Sequence, residues 1–312
     1  MINKPTVFIL GAGAHCSYGF SNGVTLKDKV VNSVKTSLVN SEMSFLLLPN
    51  YNKSILIDEV QPKICSAFAM ALENAGQLSI DDFLYSNRHK AGYNIIGKAA
   101  IAQVLIEEEK YHKNDPNDDW LNYTFSIMID GLSSPEEFIK MNKLSFITFN
   151  YDRFLETWLL NKIIHSYGLT IEKALQVLNK IPIYHIYGMI GKFPLEDDLI
   201  TYPWIKASFE INTIYDLQEK HSTVIDNAKS LLEHAKIICF LGFGFHYQNI
   251  SLLNLPYYIK DTKNNDGIIA SSRFNITDTE WARLIRPFDL DVFMKPSKEY
   301  KCLETLKNVP VF

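Results

Sequence analysis

Residues 6–13 read Thr-Val-Phe-Ile-Leu-Gly-Ala-Gly, an unbroken apolar, β-rich run that empties into a glycine turn. A strand without polar alternation is buried on both faces, which demands packing layers on either side of its sheet. Gly11 and Gly13 carry no Cβ, so the backbone beyond the strand end can approach a neighbour closely, and a phosphate is one such neighbour. The pattern places a nucleotide high among the ligands to be considered. Alone it does not say which nucleotide, or whether anything happens to it.

The rest of the chain is compatible with a large α/β fold. It has 312 residues, 47% apolar and 21% charged, enough to bury a substantial core. The net charge of −4 gives no electrostatic case for nonspecific binding to DNA or RNA. The four cysteines, Cys16, Cys65, Cys239 and Cys302, form no CxxC pair, which argues against a zinc ribbon. Their usage fits a reducing compartment. Cys239, inside Ile-Ile-Cys-Phe-Leu, reads as a small buried residue. No run approaches the roughly 18 apolar residues of a membrane span, and the N-terminus lacks the pattern of a signal peptide. A cytoplasmic protein is expected.

Residues 24–140 look mostly helical. Ser79-Ile-Asp-Asp82 and Ser134-Pro-Glu-Glu137 have capping-box spacing, and Ile95–Glu109 is a helical candidate between them. Lys113 to Asp119 is a polar loop, and Glu107, Glu108 and Glu109 read as a solvated helix face. From residue 145 short β-rich runs recur, at 145–149, 181–187, 236–241 and 267–270, with a further candidate at 289–294. Helical stretches at 153–166 and 222–235, and one starting at Thr277, separate them. Alternation of this kind implies a parallel sheet covered on both faces, a Rossmann-like α/β fold with a large helical insertion after its first strand. The whole of 1–312 is expected to form one domain.

Ligands of open parallel sheets bind beyond the carboxyl ends of the strands. The residues there are Gly11, Ala12 and Gly13; Asn150, Tyr151 and Asp152; His185, Tyr187 and Gly188; and Gly242, Phe243, Gly244 and His246. Each has a bland alternative. Glycine after a strand is often just a turn, Asp152 is well placed to cap the helix at 153, and a lone strand histidine is more often structural than catalytic. His185 and Tyr187 alternate along one strand and so share a face. The pair His15-Cys16 invites a nucleophile reading, but no orienting acid is evident. No HExxH or other metal spacing occurs, and without GxxxxGK[ST] this is not a P-loop ATPase. A dinucleotide dehydrogenase needs G-x-G-x-x-G and an acid at the end of the next strand; here the third glycine is displaced to Gly19 and helix follows.

Taken in order, Gly11-Ala-Gly13-Ala with Tyr18-Gly19, Ser79-Ile-Asp-Asp-Phe83-Leu84, Thr148-Phe-Asn150-Tyr-Asp152 with Leu155-Glu156, Tyr184-His-Ile-Tyr-Gly188 and Leu241-Gly-Phe-Gly244 resemble the SIR2-like family. The set spans nearly the whole chain. It looks like the bacterial NAD-cleaving proteins of anti-phage defence rather than the protein deacylases, whose four-cysteine zinc module is absent here. The resemblance implies NAD⁺ as substrate, no metal, and cleavage between nicotinamide and ribose. That reaction develops oxocarbenium character on the sugar and has a good leaving group, so positioning and an activated water carry it.

By the same resemblance Asn150 would hold the ribose and water. Gly11, Ala12 and Gly13 would cradle the pyrophosphate, Gly242 and Phe243 would sit near the adenosine half, with Gly244 also binding the dinucleotide, and Asp152 would orient the loop of Asn150. His15 stands where the family has serine. Tyr187 stands before Gly188 where the family has its histidine, and a phenol with a pKa near 10 is a poor base. Three readings follow: His185 serves, Tyr187 is tuned by its site, or the protein binds NAD⁺ or ADP-ribose as a regulatory subunit without cleaving it quickly. The resemblance also implies a separate partner, such as a ring ATPase or an Argonaute-like protein; a homo-oligomer is a further expectation.

Overall fold

In the computed structural model, residues 1–38, 62–77, 79–194, 203–213, 216–217, 222–288, 292–294 and 296–312 are described. Five strands, β1 (Thr6–Leu10), β2 (Leu144–Thr148), β3 (Ile183–His185), β4 (Ile237–Leu241) and β5 (Ile268–Ser271), form one parallel sheet in the order β3-β2-β1-β4-β5. Every residue of β1, β2 and β4 is buried, as expected for central strands of a sheet covered on both faces, with Ser145 and Thr148 the polar residues of β2, while the outer strands β3 and β5 are partly open. Thr6 of β1 pairs with Leu144 on one side and with Ile237 on the other. The chain therefore leaves β1 in both directions across the sheet, and the strand order reverses between β1 and β4. That reversal opens a crevice at the carboxyl edge of the sheet.

Among the described residues, six α-helices lie between β1 and β2: α1 (Gly23–Ser33), α2 (Pro62–Glu73), α3 (Ile80–Ser86), α4 (Tyr93–Tyr111), α5 (Trp120–Ile129) and α6 (Pro135–Met141). They are the helical insertion expected over 24–140, and no strand interrupts them among the described residues. The Ser79 hydroxyl caps α3 by accepting the Asp82 N–H, and Ser134 caps α6 the same way through Glu137, with Pro135 at the first helical position. After β2 come α7 (Phe154–Tyr167), α8 (Ile171–Leu178), α9 (Pro203–Ser208), α10 (Thr223–Glu233), α11 (Tyr247–Leu253), α12 (Leu255–Asn264), α13 (Asp278–Leu284) and α14 (Cys302–Asn308). Thr277 caps α13. No helix among the described residues is long and apolar enough to cross a membrane.

Three expectations need correction. The third strand runs over 183–185 and not 181–187, because Gly188 adopts a left-handed φ of 71° and its N–H turns back to the His185 carbonyl. Tyr187 thus lies past the strand end and shares no strand face with His185. The glutamates of α4 are not one solvated face. Glu107 is exposed, but Glu108 is buried against Ser21 and Lys29, and Glu109 is bound by Arg153. Residues 292–294 form no strand, although the Met294 N–H reaches the Ile269 carbonyl; 289–291 lie outside the described residues.

Candidate functional site

A cavity of about 630 Å³ occupies the crevice at the strand reversal. Its floor is made by the two glycine loops, Gly11–Gly13 after β1 and Gly242–Gly244 after β4. The loops touch backbone to backbone. The Gly11 N–H donates to the Leu241 carbonyl and the Gly13 N–H to the Gly242 carbonyl, both at 3.1 Å. A Cβ on Gly242, at φ +57°, would sit 1.9 Å from the Ala14 nitrogen. The glycines are therefore needed for two loops to interlock, and the expected phosphate cradle is corrected accordingly: the Gly11 and Gly13 donors are already used. The Ala12 N–H has no acceptor among the described residues, and Ala12 lines the same cavity. Trp120 braces this turn from α5, its indole N–H donating to the Ala14 carbonyl at 2.7 Å.

Behind the first loop lies a buried polar chain. The His15 ring is 2% exposed and its Nδ1–H donates to the Asp152 carboxylate at 2.9 and 3.1 Å. The orienting acid for His15 thus exists, 137 positions away in sequence. The side-chain amide of Asn150 lies 3.3 Å from the same nitrogen. Asp152 also accepts the Phe154 N–H at the start of α7, so it anchors the helix from one residue before the N-cap, which is Arg153. The Nε2 of His15 is buried without a hydrogen-bond partner among the described residues, and its ring packs among those of Tyr18, Phe20 and Phe154. His185 is held at both ends: Nδ1–H donates to the Asn150 carbonyl at 2.9 Å, and Nε2–H to Glu156 at 2.7 Å.

Burial works against both charges of this chain, yet the pairs prevail. His185 is pulled down by burial, but Glu156, the Asn150 carbonyl and Asp152 raise it above the ordinary imidazole value. Asp152 is pushed up by burial, but His15, His185 and the Phe154 N–H hold it below the usual carboxylate range. None of His15, Asn150, Asp152, His185 or Gly188 lines the cavity. His185, with both nitrogens committed, positions the Asn150 backbone. Gly188 serves a turn, since a Cβ there would meet the Glu210 carbonyl at 2.1 Å.

Of the residues expected at the site, the cavity gathers Gly11, Ala12, Gly13, Tyr187, Gly242, Phe243, Gly244 and His246. Tyr187 presents a donor: its hydroxyl gives a 2.5 Å hydrogen bond to Asn249, and burial followed by Asp81 and Asp82 drives its pKa far above the ordinary phenol value. It is a phenol at neutral pH and no base. Phe149 packs its ring between Tyr187 and Phe243, at centroid distances of 5.7 and 5.3 Å, giving the cavity an aromatic wall.

Four carboxylates that sequence reasoning missed complete the lining: Asp81 and Asp82 from the first turn of α3, and Asp115 and Asp118 from the segment after α4. Asp81 accepts the Tyr151 hydroxyl at 2.5 Å, Asp82 accepts from Gln248 at 3.2 Å, and Asp115 accepts the Asn117 N–H. Asp118 accepts the Leu303 N–H at the start of α14. Burial raises Asp81 against the opposing Tyr151 bond, and it pushes Asp118 up to about 6 against the Leu303 hydrogen bond. The α3 acids sat inside a motif whose capping role hid a second use. For Asp118 no sequence signal beyond a polar loop existed. Comparison with protein-family models, with curated proteins and with solved structures finds no match to this chain.

Proposed function

We propose that this protein binds NAD⁺ in the cavity at the strand reversal and hydrolyses the bond between nicotinamide and ribose. The observation that carries the reading is the cavity itself. It lies at the carboxyl edge of a parallel sheet, where the strand order reverses, floored by two interlocked glycine loops, and its volume suits a small-molecule ligand. The aromatic wall of Phe149, Tyr187 and Phe243 suits a planar base. The carboxylates suit ribose hydroxyls and the cationic sugar that develops as nicotinamide departs. A carboxylate in the cavity, rather than Tyr187 or His185, is the base that activates water in this scheme, while Asn150 and the His15–Asp152 pair hold the loop beneath. On the family resemblance the cellular consequence is loss of NAD⁺ during phage infection, in company with a defence partner.

The experiment is nicotinamide release from NAD⁺ by the purified protein. Wild type is expected to release it. Asn150→Ala is expected to lower the rate by about 100-fold, the order of effect of misplacing a reacting group by about 1 Å. Tyr187→Phe is expected to keep most of the rate, because the phenol supplies no base. Full activity in Asn150→Ala would sink the role given to that loop.

A second reading rests on Tyr187 itself. With a protonated phenol where the resemblance asks for an imidazole, the same cavity suits a subunit that binds NAD⁺ or ADP-ribose without turnover. Tight binding of ADP-ribose with no nicotinamide release, with or without partners, would favour it.

A further inference from the structure

Asp118 differs from the other three carboxylates of the cavity. It is 5% exposed, whereas Asp81, Asp82 and Asp115 are half-buried or more open. One oxygen accepts the Leu303 N–H at 2.9 Å. The other oxygen receives no hydrogen bond from any described residue, although the side chain lines the cavity. Capping α14 needs one acceptor, and a neutral asparagine would supply it. The second oxygen is open to the cavity and free to accept a hydrogen bond from a molecule bound there.

The position is firmly built. Asp118 ends a single 3₁₀ turn, Pro116–Asp118, whose Asp115 N–H donates to the Ser17 carbonyl at 2.7 Å. The neighbouring Asp119 accepts the Tyr18 hydroxyl at 3.0 Å. The acid is thus tied to the stretch that follows the first glycine loop. The charge around it is one-sided. Against four carboxylates the cavity offers Lys301 and His246, and these are engaged: Lys301 lies 3.8 Å from Asp115 and over the Phe274 ring, and His246 lies 4.0 Å from Asp82. No arginine lines it among the described residues.

We propose that Asp118 binds a ligand hydroxyl in this cavity and, through its charge, makes the cavity select ADP-ribosyl ligands with free hydroxyls over those carrying an added phosphate monoester. The proposal rests on the dinucleotide reading and names the selectivity of that site. A hydroxyl donates to the free oxygen, whereas a phosphate monoester brings about two further negative charges into a cavity lined by four carboxylates, whose Lys301 already lies against Asp115.

The test is calorimetric titration of wild type and Asp118→Asn with ADP-ribose and with ADP-ribose 2′-phosphate, ligands that lack the scissile bond, alongside thermal melts. Wild type is expected to bind ADP-ribose at least tenfold more tightly than its 2′-phosphate. Asp118→Asn keeps the Leu303 cap and is expected to melt no lower than wild type, to bind ADP-ribose about tenfold more weakly, and to shrink the preference several-fold. Unchanged affinity and preference in a well-folded Asp118→Asn would overturn the proposal while leaving the dinucleotide reading intact. If wild type binds neither ligand, the dinucleotide reading fails and takes the proposal with it. If Asp118→Asn does not fold, Asp118→Ser supplies a second neutral acceptor, and wild-type affinity and preference in that variant overturn the proposal equally.

Discussion

A carboxylate that titrates near 6 is held charged at neutral pH against its surroundings. Asp118 is raised from 3.8 to about 6 by burial first, with Glu304 and Asp115 adding repulsion and the Leu303 N–H and Lys301 opposing it. The folded state therefore binds this proton more tightly than the unfolded chain does. Its contribution to stability is fully present below pH 3.8 and is lost as pH rises through about 6. A shift of this size corresponds to about 3 kcal/mol at most. Asp118→Asn removes the penalty and keeps the cap, so at pH 8 it is expected to be more stable than wild type by about 1–2 kcal/mol, with the gain vanishing near pH 4. Urea titrations at the two pH values check this; a variant less stable at pH 8 would mean that the charge is structurally needed. His185 runs the other way in sign of charge: its raised pKa makes the Glu156 pair a stabilising contact below the ordinary imidazole value and a fading one above it.

The elements of the sheet were legible because their causes are local. Short β-rich runs mark β1, β2 and β4, and Ser79, Ser134 and Thr277 cap the helices that their spacing announces. What was not legible depends on meetings between distant segments. His15 finds Asp152 across the sheet, and Glu109 finds Arg153, so a histidine without an acid and a glutamate facing solvent were both reasonable from one stretch of chain and both incorrect. The glycine loops lie between the two cases. Their positions were plain, but Gly242 serves the close approach to Ala14 as much as any ligand. Gly242→Ala adds a left-handed φ and a backbone collision. Gly131→Ala, at φ +72° with open space around its Cβ, adds the first alone. Gly131→Ala is expected to cost about 1 kcal/mol and Gly242→Ala at least about 3 kcal/mol, with loss of ligand binding. Denaturant midpoints compare them, and equal losses would show that the loops can part without cost.

Across the whole molecule the charge is −4, and the cavity shares that sign. A ligand carrying a pyrophosphate meets repulsion from both, and salt screens repulsion over a Debye length of about 8–10 Å at physiological strength. Raising sodium chloride from about 0.02 M to about 0.3 M is therefore expected to tighten ADP-ribose binding, or at least to leave it undiminished. A site built on clustered lysine and arginine would weaken. An affinity that falls several-fold with salt would place uncompensated positive charge near the ligand, contrary to the lining described. The strand order has its own consequence, and it concerns synthesis. Thr6 leaves the ribosome well before the two residues it pairs with, Leu144 and Ile237. At roughly 5–20 residues per second the central strand waits on the order of 10–50 s for its second neighbour. Until Gly242 follows it out, the glycine interlock cannot close. A nascent or stalled chain that ends before Gly242 carries its first loop without its partner, so the floor of the cavity is assembled only after both glycine loops have emerged.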